Sequence, residues 1–172
     1  MRSCRRPGVR QQGATLVELV MTIVIISIAI AGVVGAFALI TGRSADPLNQ
    51  TRAVALSQLY MDEILSKSFA HDSPVGGGAV DAGDADCNNL GPDGETRRTF
   101  NDVDDYHTLN NAPPENSEEE SLSGYNNFQV SISVACAGTE VGLSNHEAKR
   151  IDITVTDPSG NAYLFSAYRG NF

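Results

Sequence analysis

The stretch LVMTIVIISIAIAGVVGAFALITG, residues 19–42, decides the fold. It runs for 24 residues without a charge, and its only polar side chains are Thr22, Ser27 and Thr41. At about 1.5 Å per residue a helix of this length spans about 36 Å, enough to cross a hydrocarbon core of about 30 Å with some tilt. A helix can lie there because it satisfies its own backbone hydrogen bonds. The whole chain has 172 residues, room for one compact domain plus an extended segment, and no core large enough to surround such a helix on every side. The run also exceeds the roughly 7–15-residue apolar region of a secretory signal peptide.

Working outward, Arg2, Arg5, Arg6 and Arg10 precede the run, while Arg43 and Arg52 follow it among Asp46, Asp62 and Glu63. Basic flanks stay cytoplasmic, so the C-terminal part is expected across the membrane. That part is polar and acidic: the chain has 12 Lys+Arg against 21 Asp+Glu, a net charge of -9. A general nucleic-acid binder would need the opposite sign, so nucleic acid is excluded as a partner.

Glu18 stands at the edge of the run, where an ionised carboxylate costs a few kcal/mol unless something pairs with it. Its context is Gly13-Ala14-Thr15-Leu16-Val17-Glu18. A short basic leader ending in Gly, a small residue, Thr-Leu-Val-Glu and an unbroken apolar helix resembles the N-terminal signal of type IV prepilins and type II secretion pseudopilins. The resemblance implies that a prepilin peptidase removes residues 1–13 by cutting after Gly13 and methylates the new amine on Ala14, where the family more often has Phe. It implies a structural subunit without catalysis, whose partners are membrane lipid, other pilin subunits, the peptidase and an inner-membrane assembly platform. The Ala14 amine of one subunit would approach the Glu18 carboxylate of a neighbour in an apolar bundle, each charge relieving the other's desolvation. Ala29, Ala31, Gly32, Gly35 and Ala36 would let such helices approach closely.

After the run comes Asp46-Pro47, an N-cap candidate with proline at the first helical position. Ala53, Leu56, Tyr60 and Ile64 then recur at three- and four-residue steps while Gln50, Arg52, Gln58 and Asp62 fall elsewhere, which predicts an amphipathic helix within residues 43–69. Residues 70–124 are rich in Gly, Asp, Asn, Pro and Ser, a composition expected of connecting loops rather than packed core, with a solvated, mobile turn at 117–121. Phe128, Val130, Ile132, Val134 and Cys136 alternate with polar or small residues as a strand; Ile151, Ile153 and Val155 form a second. Asp157-Pro158-Ser159-Gly160 turns into a third around 163–168. The domain reading is a leader over 1–13, a transmembrane helix over 14–42, the amphipathic helix, the loops, and an antiparallel β-meander over 125–172. The fold class is α+β, and the pilin resemblance supplies its expected topology, a long N-terminal helix packed on a small antiparallel sheet.

Removing the leader discards Cys4 and four arginines, leaving Cys87 and Cys136 as an even pair and a formal charge of -13. On the oxidising side of a membrane that pair is expected to form a disulfide. Asp84, Asp86, Asn88 and Glu95 occupy the first, third, fifth and twelfth positions of an EF-hand-type loop, a calcium candidate whose required glycine is replaced by Asn89. A solvated Asp-rich turn is the competing reading, and Asp102, Asp104 and Asp105 form a weaker candidate. His71, His107 and His146 fall in no metal or triad motif, and an exposed His107 beside Asp104 and Asp105 is expected to be solvated.

Beyond the N-terminus, residues 53–65, 100–106 and 165–172 look like the MshD type of minor pilin from mannose-sensitive haemagglutinin (MSHA) pili. That implies a low-abundance subunit initiating or capping a pilus, anchored in the inner membrane with a periplasmic head and then incorporated into an extracellular filament. A pseudopilin of a periplasmic pseudopilus shares the same N-terminal chemistry. From a different class, a membrane-tethered enzyme or binding module would use the acidic loops and leave Glu18 dispensable.

Overall fold

A computed structural model describes residues 13, 15–43, 46–85 and 87–172. The chain divides into two units, Met1–Ala45 and Asp46–Phe172.

The first unit is helix α1, Leu16–Arg43. Its stretch Leu16–Ala38 is long and apolar enough to cross a membrane, and every described side chain along it is exposed. Apolar residues on all sides of a helix demand lipid or other helices around it. The two hydroxyl side chains inside the span turn back onto the helix: Thr22 Oγ1 donates to the Glu18 carbonyl and Ser27 Oγ to the Ile23 carbonyl, both at 2.7 Å. Neither hydroxyl therefore enters an apolar surrounding without a hydrogen bond.

The second unit opens with α2, Asp46–Leu65. The sequence stripe is its buried face: Ala53, Leu56, Tyr60 and Ile64 are at most 2% exposed. The helix stops four residues before the expected boundary at 69. Ser68 leaves it to make a parallel bridge with Asp102, its N–H donating to the Asn101 carbonyl at 3.2 Å and its carbonyl accepting from Val103 at 3.1 Å. The expected cap, Asp46, lies where no side chain is described.

Three strands follow, β1 (Gln129–Cys136), β2 (Ala148–Thr156) and β3 (Ala162–Gly170), in an antiparallel sheet of order β1-β2-β3. The register stacks Ile132 on Ile153 on Phe165, and Val130 on Val155 on Tyr163. This apolar face meets α2, giving an α+β pilin-like fold with a long N-terminal apolar helix and a small antiparallel sheet. The turn between β2 and β3 is fixed by Asp157, whose Oδ1 accepts from Ser159 and Asn161 N–H at 2.8 and 2.9 Å. Gly160 supplies the left-handed φ of +85° that this turn requires.

The Gly/Asp-rich region corrects the expectation that it lies outside the core. Phe100, Val103 and Tyr106 are 6%, 0% and 0% exposed and pack with α2 and the sheet. Asp102, Asp104 and Asp105 are buried beside them. Composition misleads because these carboxylates accept the loop's own backbone N–H groups: Asp102 Oδ1 from Asp104 at 2.7 Å, and Asp105 Oδ2 from Asn101 at 2.8 Å. Loop polar groups that satisfy one another can be buried without the usual cost. The acidic turn at 117–121 is exposed but built, with Asn116 Oδ1 accepting from Glu118 and Glu120 N–H at 3.0 and 2.9 Å.

Candidate processing and assembly site

The N-terminal residues singled out by sequence meet at the start of α1. Gly13 is exposed, a Cβ built on it would touch nothing within 4 Å, and its φ lies outside the left-handed region. The chain's own fold therefore does not require glycine there. Ala14 lies outside the described residues. Thr15 caps the helix: its Oγ1 accepts from the Glu18 N–H at 3.3 Å and its carbonyl from the Leu19 N–H at 3.1 Å. With Leu16 first in the helix, Glu18 stands third, so Thr15-Leu16-Val17-Glu18 is a capping-box sequence. A carboxylate in the first turn also complements the positive end of the helix dipole. The sequence reading missed this local role, although Thr-x-x-Glu before an apolar run is its signal.

Cys87 and Cys136 are joined by a disulfide with Cα atoms 5.6 Å apart, tying the loop region to the end of β1 across 49 residues. Of the proposed calcium set, Asp84 and Asn88 are exposed and Asp86 lies outside the described residues. Glu95 Oε1 accepts from Asn101 Nδ2 at 2.5 Å. Among the described residues no three His, Cys, Asp or Glu side chains gather as metal ligands. The weaker set is committed elsewhere: Asp104 pairs with Lys149 at 2.5 Å. His107 sits at the surface, yet its Nδ1 accepts the Val134 N–H at 3.0 Å and so seals part of the β1 edge.

Two buried ionic groups hold the loops to the head. Lys149, 0% exposed, donates to Asp104 and to the Phe69 carbonyl at 2.8 Å, with the Phe69 ring 4.4 Å from Nζ. It was legible in principle, because Lys149 shares strand parity with Ile151, Ile153 and Val155, and a lysine at an inward position must find a partner. Nearby Asp102 is pushed up to about 6 by burial and by the charge of Asp105. The second group joins Arg97 to Glu63 of α2 at 2.9 Å, with the guanidinium between the Tyr60 and Tyr106 rings at 4.8 and 5.2 Å. Tyr106 donates its hydroxyl to Glu63 at 2.7 Å, and burial raises its pKa, as does that hydrogen bond.

Comparison with known families bears on the first of these sites, since residues 9–34 span the leader's end, the cap and most of the apolar helix. Those residues match the prokaryotic N-terminal methylation motif. The motif supports a type IV pilin- or pseudopilin-like subunit processed by a prepilin peptidase, a structural class rather than an enzymatic one. It ends inside α1 and speaks for the N-terminal unit. No curated protein and no solved structure matches the chain.

Proposed function

We propose that this protein is a minor pilin-like subunit of an MSHA-like type IV pilus, cut after Gly13, methylated on Ala14 and assembled through α1, with a role in initiating or capping the filament. The observation that carries the reading is the methylation motif set on a helix whose apolar side chains are exposed all round. Gly13 is in keeping with it: the fold tolerates a side chain there, so the glycine is free to serve recognition by the peptidase. The basic flank before α1 supports an inner-membrane anchor with the head in the periplasm. The finer MSHA assignment rests on the resemblance of residues 53–65, 100–106 and 165–172 to the MshD type.

Gly13→Val tests the processing step. The uncut precursor should accumulate in the membrane with the helicity of α1 unchanged, whereas cleavage of the variant at the wild-type rate would contradict the reading. Labelling of intact cells separates pilus from pseudopilus. A pilus subunit becomes labelled outside the cell, and a subunit of a type II secretion pseudopilus stays protected until the outer membrane is opened.

A further inference from the structure

The sheet of the head treats its two outer edges differently. That of β1 is closed: Val130 and Ala112 exchange N–H to carbonyl bonds of 2.9 Å, the Ile132 N–H reaches the Leu109 carbonyl at 2.8 Å, and the Val134 N–H reaches His107 Nδ1. That of β3 is open. The Asn171 N–H donates to the Glu147 carbonyl at 3.0 Å, so in the antiparallel register the odd-numbered residues of β3 turn their backbone groups toward β2, and Leu164, Ser166 and Tyr168 turn theirs outward. Among the described residues no other strand or loop of the head pairs with those outward groups. Natural edges are blunted by proline, lysine or a bulge. Ala162–Gly170 has none of these, and its one charge, Arg169, stands next to its end. The core is unfinished along the same line: Ile151, Ile153 and Val155 of β2 are 0% exposed, whereas Tyr163 and Phe165 of β3 are only half-buried. A fourth strand would cover both rings and take up the outward backbone groups.

We infer that β3 pairs edge to edge with a strand of a different filament subunit, one whose head is basic where it borders this one. Backbone chemistry sets the form of the occupant, since only an extended chain meets outward groups spaced two residues apart. Charge sets its source. The head, Asp46–Phe172, carries 20 Asp+Glu against 7 Lys+Arg, so a second copy would bring two strongly acidic surfaces together, whereas a basic neighbour is attracted. With the β1 edge closed, the head accepts one neighbour by this route and passes the pairing no further, as an initiating or capping subunit requires. The inference rests on that reading and adds a one-sided head contact to the packing of α1.

The test puts the photo-crosslinking residue benzoylphenylalanine in place of Tyr168, in the full chain within cells that assemble the filament, and identifies the cross-linked product by mass spectrometry. A different chain with a methylated N-terminus, attached through one of its strands, is expected. Leu164→Pro should lower the yield about ten-fold, because it removes an outward N–H and no bond to β2; Leu164 is 66% exposed, so the sheet itself should persist. Leu164→Lys leaves the backbone intact and should lower the yield about three-fold through repulsion by a basic neighbour, which keeps the test decisive if the proline variant fails to fold. Unchanged yield in both variants, or no cross-link at all, would overturn the inference. A cross-link to a second copy, or to a chain without that N-terminus, would overturn a different filament subunit as the occupant. Intact mass of the same samples keeps the two readings apart. Processed chains without the cross-link sink this inference alone, while chains retaining residues 1–13 sink the filament-subunit reading.

Discussion

Glu18 serves two chemistries that one pair of substitutions separates. It stands third in α1, with its N–H on Thr15 Oγ1 at 3.3 Å, and its carboxylate is the proposed partner of the methylated Ala14 amine of a neighbour. Gln reproduces the size and the capping-box reach but carries no charge, whereas Ala removes both. Ala leaves the Thr15 Oγ1 to Glu18 N–H bond in place and removes only the side chain's reach back towards the Thr15 N–H, worth about 0.5–1.5 kcal/mol on α1 of every copy, assembled or not. Loss of one partner from a charge pair buried in an apolar bundle costs about 3–5 kcal/mol and acts only on assembly. At 1.4 kcal/mol per factor of ten, that is roughly a hundred- to several-thousand-fold in association. Glu18→Gln should therefore insert into the membrane and be processed like wild type, yet fail to enter filaments in a sedimentation assay. Glu18→Ala should fail in the same assay and also show weakened helicity at the start of α1. Wild-type assembly of Glu18→Gln beside failure of Glu18→Ala would refute the charge-pair argument and leave Glu18 as the third-position partner of the Thr15 cap.

Three further outcomes test the head. Lys149→Met leaves Asp104 buried without its cation and should cost about 3–5 kcal/mol, read as a lowered midpoint in denaturant, while Lys149→Met with Asp104→Leu should recover most of it; equal losses in both variants would mean that the pair is not what holds the loop. Replacing Cys87 and Cys136 by Ser should cost about 4 kcal/mol for a loop of 49 residues, seen as a drop in Tm that reducing agent reproduces in the wild type. Asp102 gives a pH dependence: its folded pKa of about 6 lies above the ordinary aspartate value of 3.8, so the folded state binds the proton more tightly. That contribution is fully present below about pH 4 and is lost as pH rises through about 6, by of order 2–3 kcal/mol. Asp102→Asn should flatten that part of the Tm–pH curve, and an unchanged slope would contradict the assignment.

Periodicity made the frame of this protein legible. The uncharged run at 19–42 marks α1, the stripe of Ala53, Leu56, Tyr60 and Ile64 marks the buried face of α2, period-two alternation marks the first two strands, and the Asp157–Gly160 turn places the third. These signals survive because each records a whole face meeting one environment. What composition hid was the loop region that enters the core. Phe100, Val103 and Tyr106 obey no period, and the aspartates between them look solvated until their hydrogen bonds to Asn101, Asp104 and Asp105 N–H groups are seen. Pairings over long sequence distances, such as Lys149 with Asp104 or Arg97 with Glu63, leave only an indirect trace: a charged residue at a position whose parity points inward. At the N-terminus the chemistry was legible as a motif, but the cap formed by Thr15 was overlooked because Glu18 already had a proposed role.

The central claim is that residues 1–13 are a leader removed by a dedicated peptidase, and intact mass of the membrane-extracted chain tests it most directly. Expressed with a prepilin peptidase, the protein should begin at Ala14 and carry one added methyl group, and without the peptidase it should retain its leader. A chain that keeps residues 1–13 in both samples would contradict the account and make α1 a simple anchor for the acidic head.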